Sequence, residues 1–122
     1  MPSRFFSRAE LSCKCGCGLC NVRPQLLARL DQVRELLGRP LIITSASRCA
    51  KHNEDSGGEV DSAHLDGWAT DCAISNSTER FNLIATLIRI GVTRIGVGRY
   101  FVHFDLDPAK PQNVVWVYGG KV

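Results

Sequence analysis

The chain contains no hydrophobic run longer than a few residues. A helix that spans a bilayer needs ~20, so membrane insertion by a helix is excluded. No apolar stretch follows Met1-Pro2-Ser3-Arg4, so no secretory signal of the usual kind is visible. The expectation is a protein made in the cytoplasm, whose action elsewhere would need release or another export route. Charge of one sign is not concentrated either. The formal net charge is only +3 and the basic residues are spread among acids, which argues against a nucleic-acid partner. Internal repeats, linkers and low-complexity segments are missing. Histidine is scarce, with three in 122 residues, so its placement carries information.

What is present fits one domain over residues 1–122, with a cysteine-rich lead-in at 1–20. A chain of this length buries ~70% of its unfolded surface and needs no metal merely to fold. Four of its six cysteines lie in Cys13-Lys14-Cys15-Gly16-Cys17-Gly18-Leu19-Cys20, and the others are Cys49 and Cys72. Six cysteines can pair in fifteen ways. The Cys-x-Cys-x-Cys-x-x-Cys spacing is tighter than a usual zinc knuckle. Unpaired thiols, disulfides joining Cys49 or Cys72 to the cluster, and a second, structural metal all remain open.

Residues 1–20 read as irregular, with Ser7 and Glu10 compatible with a short capped turn. Leu26, Leu27, Leu30, Val33, Leu36 and Leu37 recur at helical spacing. They predict a helix over about 22–37, capped by Asn21, with Pro24 in its first turn and Gly38 at its end. Leu41–Thr44 predicts a strand, and Ser45–Ser62 a long polar loop with a binding role. Trp68–Ile74 predicts a second strand. Asn76 or Ser77 caps a second helix with an apolar face of Phe81, Ile84, Ala85, Leu87 and Ile88, ending at Gly91. Strands follow at Arg94–Val97, Phe101–Leu106 and Val114–Tyr118, before a flexible Gly119-Gly120 tail. This order describes a small α+β domain with a largely antiparallel sheet and flanking helices.

Two of the histidines bracket an aspartate. His64 and Asp71 are seven residues apart, and His103 follows in an apolar strand where Phe101, His103 and Asp105 share a face. Two imidazoles and one carboxylate fill three positions of a tetrahedral zinc and leave the fourth for water. Gly67 helps the chain turn or pass close to the ion. Taken singly, each residue has an ordinary structural reading: a hydrogen-bonded core histidine, a surface histidine, a capping aspartate. Ser62 next to His64 makes no convincing serine–histidine–acid triad.

Arg48, His52-Asn53, Gly57-Gly58, Ser62-x-His64-x-x-Gly67-x-Ala69-x-Asp71 and His103-x-Asp105 together resemble the zinc D-alanyl-D-alanine peptidases of the peptidase M15 type. The likeness is to the small branch of phage and bacterial cell-wall peptidases and runs over roughly residues 10 to 107. Ile42–Arg48 and Cys13–Gly18 resemble segments of the same branch. The resemblance implies a fold shared with hedgehog amino-terminal domains and D,D-peptidases. It also implies Zn2+ held by His64, Asp71 and His103, and hydrolysis of peptidoglycan stem peptides or cross-links; a monomer is expected. Arg48 would stabilise an oxyanion or hold a substrate carboxylate. His52, Asn53, Ser62, Trp68 and Tyr100 would line the substrate cleft. Many relatives place a glutamate base three residues before the last histidine, where this chain has Tyr100. Asp105 is then the expected catalytic base, or else a group that orients the histidine. If Asp105 only orients, Asp66 or Glu54 would have to reach the water. Loss of the usual glutamate also gives substance to a rival reading, a non-catalytic zinc-containing peptidoglycan-binding or phage structural module.

Overall fold

A computed structural model of the protein describes residues 3–119. Gly120, one of the two glycines of the expected tail, lies outside the described residues, as do Met1, Pro2, Lys121 and Val122. The elements run α1 (Arg8–Leu11), α2 (Pro24–Leu37), β1 (Ile43–Ser45), α3 (Ala50–Asp55), β2 (Ala69–Ala73), α4 (Ser77–Arg89), β3 (Arg94–Val97), β4 (Phe101–Asp105) and β5 (Val114–Val117). The five strands form one sheet in the order β1-β2-β4-β3-β5. All neighbours are antiparallel except β3 and β5. The architecture is therefore α+β with a mostly antiparallel sheet.

Strand alternation gives the sheet two unlike faces. Cys72 of β2, Ile95 of β3, and Val102 and Phe104 of β4 join the main core. That core takes Leu26, Leu27, Leu30 and Val33 from α2 and Leu83 and Leu87 from α4. Each such side chain contributes roughly 1.5–3 kcal/mol by leaving water. The opposite face carries Asp71, His103 and Asp105, at the intervening positions of β2 and β4.

Several local expectations are corrected. Asn21 does not cap α2. The N-cap is Arg23, without a side-chain bond, and the Asn21 amide donates instead to the Leu65 carbonyl at 3.0 Å. Gly38 ends the helix in the left-handed conformation, φ 67°, which suits glycine. The stretch Ser45–Ser62 is not all loop, because it contains α3. That helix is six residues long and polar, so it shows no apolar period. Its N-cap acceptor is the Cys49 thiol, which takes the His52 N–H. In α4 the buried stripe is Leu83 and Leu87, while Phe81 and Ile88 face solvent. Asn76 caps this helix through the Glu79 N–H, and the Glu79 carboxylate takes the Ser75 N–H.

Candidate metal centre

Asp71 and His103 stand directly opposite each other on β2 and β4, with Ala69 opposite Asp105. His64 arrives from the loop before β2. One donor atom from each of His64, Asp71 and His103 lies within 4.8 Å of the other two. All three residues are buried. His64 Nε2 is 3.3 Å and His103 Nδ1 is 2.9 Å from the same oxygen, Asp71 Oδ1.

The outer partners decide where the ring protons sit. His64 Nδ1 is 2.8 Å from the Ala46 carbonyl. A carbonyl only accepts, so Nδ1 carries the proton and Nε2 keeps its lone pair. His103 Nε2 is 2.7 Å from Asp105 Oδ2, so it donates there and leaves Nδ1 as the free nitrogen. Two imidazole lone pairs and a carboxylate oxygen thus face one another with no proton assigned between them. Such a donor set, nitrogen, nitrogen and oxygen, fits zinc.

Charge is arranged to match. Burial works against ionised Asp71, but the adjacent His103 and His64 outweigh it and hold the carboxyl well below its usual range. Burial likewise opposes charge on His103, yet Asp105 and Asp71 raise its pKa above the ordinary histidine value. The convergence therefore attracts a cation, either a proton or a metal. Arg48 braces the second Asp71 oxygen at 3.1 Å. Its other nitrogens donate to Ser45 Oγ and Asn53 Oδ1.

Asp105 reaches the same cleft, but both of its oxygens are already engaged. Its side chain is 1% exposed and sits on the far nitrogen of His103. The other oxygen, Oδ1, accepts from Arg94 Nε at 2.6 Å and from the Asp107 N–H at 3.1 Å. Burial opposes its charge, but His103 and Arg94 keep its pKa low. This geometry suits holding the ring and its tautomer, the second of the two roles expected for this residue. Arg94 in turn donates to the Pro111 carbonyl and lies over the Trp116 ring.

The centre opens into a cleft of about 570 Å3. Arg48 and Ser62 line it, and Ser62 Oγ also accepts the His64 N–H. Four expected cleft residues are absent from its walls. Tyr100 is 67% exposed, and Arg99 lies over its ring. Trp68 is covered by Arg23 at 4.5 Å. Asn53 is buried, accepting from Arg48 and donating to the Glu59 carbonyl. His52 lies on α3 outside the walls. Asp66 and Glu54 do not line the cleft either. Gly67 makes the expected turn at φ 77°, and it also passes close to protein, since a Cβ there would lie 2.0 Å from the Asn21 carbonyl oxygen.

The aromatic wall comes from residues that the sequence reading placed only in a closing strand. Trp116 and Tyr118 line the cleft, with the Trp116 ring 5.4 Å from His103. Gly96 makes room for them, since a Cβ there would meet both rings at 2.7 Å. Burial pushes the Tyr118 phenol up to about 12, so it keeps its proton and can donate. A signal was present in the paired Gly96 and Trp116, which are cross-strand partners, but it needs the parallel β3–β5 register to be read.

The Peptidase M15 family model matches residues 4–106. No curated protein matches the chain.

Proposed function

The chain belongs to the peptidase M15 family, and from that premise we propose that it is a single-domain, monomeric zinc peptidase. Its proposed substrates are bacterial peptidoglycan stem peptides or cross-links. The observation that carries the metal assignment is the convergence of His64 Nε2, His103 Nδ1 and Asp71 Oδ1, each backed by a partner that leaves its lone pair free. When bound there, zinc supplies a Lewis acid for the scissile carbonyl and an acidified water. No helix of the described residues is long and apolar enough to cross a membrane.

The residues around the centre have distinct tasks in this reading. Arg48 holds Asp71 and lines the cleft, where its remaining N–H groups would bind a peptide carboxylate or a developing oxyanion. Tyr118 donates to a substrate carbonyl, and Trp116 packs on the peptide. Asp105 and Arg94 hold His103 in position. For proton transfer the cleft wall offers two other carboxylates, Glu59 and Asp61. Asp61 is tied to Lys110 at 3.2 Å. Glu59 has no ion pair among the described residues and is assigned to take the proton from the attacking water and return one to the leaving amine.

The reading is supported by the family, by the donor set, and by a cleft with cationic and aromatic walls. Its test is digestion of purified peptidoglycan, followed by mass analysis of the released muropeptides, with and without chelator. Zinc-dependent peptide cleavage is the expected result. Zinc binding with no cleavage of any muropeptide would favour the binding-module alternative, for which Tyr100 in place of a glutamate speaks.

A further inference from the structure

Four of the six cysteines gather at a second place, away from the histidine centre. Cys13, Cys15 and Cys17 come from the loop after α1, and Cys49 comes from the segment before α3. One sulfur from each lies within 4.8 Å of all the others. Three separations are 3.4 Å for Cys13–Cys15, 3.8 Å for Cys13–Cys49 and 3.7 Å for Cys15–Cys49. A disulfide requires about 2.05 Å. Four sulfurs placed tetrahedrally at ~2.3 Å from zinc are about 3.8 Å apart along each edge. The cluster therefore has the dimensions of a metal–thiolate tetrahedron and not those of a pair of disulfides.

The surrounding backbone builds the same shape. The loop is closed by the Cys13 N–H donating to the Leu19 carbonyl at 2.7 Å. Gly16 and Gly18 take φ of 88° and 89°, which lets three alternate cysteines turn inward within five residues. The Cys49 N–H donates to Cys13 Sγ, and the His52 N–H donates to Cys49 Sγ, both at 3.4 Å. The other two cysteines take no part. Cys20 Sγ rests near the Arg8 carbonyl, and Cys72 is buried in the main core.

We infer that Cys13, Cys15, Cys17 and Cys49 bind a second zinc ion, a structural one with four thiolate ligands. The tight Cys-x-Cys-x-Cys run is completed by a distant fourth ligand, Cys49, and not by Cys20. A closed four-sulfur shell leaves no position for water or substrate. The ion would fasten the lead-in to the residue next to Arg48, whose guanidinium braces Asp71. The Ser47 N–H donating to the Leu11 carbonyl ties the same two segments.

The test is elemental analysis of the full chain, purified under reducing conditions, with titration by an organomercurial. The wild type is expected to hold two zinc ions per chain, one of them released as four thiols are modified. His64→Ala should lose one ion and keep the mercurial-sensitive one, so failure at either centre is separately visible. Cys17→Ser should lose only the mercurial-sensitive ion. Cobalt in the His64→Ala protein should give a strong thiolate-to-metal charge-transfer band. One zinc per wild-type chain, insensitive to the mercurial and with no such band, would overturn the inference. Iron in place of zinc at the four thiols would overturn the zinc assignment.

Discussion

Replacing Asp105 by asparagine separates its two proposed roles. The carboxylate makes two short charge-assisted bonds, 2.7 Å to His103 Nε2 and 2.6 Å to Arg94 Nε. An amide oxygen can accept from only one of these donors, and the amide nitrogen turned to the other is itself a donor. Removing one partner of a buried ion pair costs about 3–5 kcal/mol. Arg94 retains the Pro111 carbonyl and the Trp116 ring, so the lower end, about 3 kcal/mol, is expected for the metal-free protein. Loss of a residue that orients a ligand histidine costs ~10–100-fold in metal affinity. The assays are urea unfolding in chelator and competition for zinc against a chromophoric chelator. Turnover should then be measured at saturating zinc, where activity should largely return. A kcat loss of ~100-fold or more with zinc affinity unchanged would refute the reasoning, because that is the signature of a lost general base.

Further predictions concern pH, the proton acceptor and the aromatic wall. In metal-free protein, the lowered pKa values of Asp71 and Asp105 add stability above the unfolded carboxylate range, and this is lost as pH falls through their folded values. The raised pKa of His103 adds stability below the unfolded histidine value, lost as pH rises through its folded one. Unfolding of the chelated protein should therefore show this contribution at its largest between about pH 4 and 6.5. Zinc should shift the optimum upward and release a proton on binding at neutral pH, and calorimetry in buffers of different ionisation enthalpy should detect it. Identical pH profiles with and without zinc would contradict this. Glu59→Gln should lower kcat by ~10²–10⁴-fold with zinc content unchanged, and full activity would remove Glu59 from the mechanism. Gly96→Ala should force Trp116 and Tyr118 off their positions, costing about 1–3 kcal/mol. It should also raise KM and shift Trp116 fluorescence, and an unperturbed emission spectrum would count against the close packing.

His64, Asp71 and His103 are brought together much as the sequence suggests, and for a physical reason. Metal chemistry restricts the donor types, and alternation along one strand already puts His103 and Asp105 on a common face. What Asp105 does there was not legible, because it depends on Arg94, which lies on another strand. Trp116 and Tyr118 were hidden by β5, whose parallel pairing cannot be read from the alternation of its own residues. The cleft positions expected for Trp68 and Tyr100 came with the family resemblance and had no support in the pattern of this chain's own residues. Both side chains instead lie under arginines away from the cleft. Short polar α3 gave no period, and the partnership of Cys49 with the lead-in spans too many residues for spacing to show.

The most direct test of the central claim is anomalous scattering at the zinc edge from crystals of the zinc-loaded protein. The account predicts a peak about 2.0–2.2 Å from His64 Nε2, Asp71 Oδ1 and His103 Nδ1, with Asp105 still on His103 Nε2. Zinc bound through Asp105, or no peak among these three residues at full loading, would contradict it.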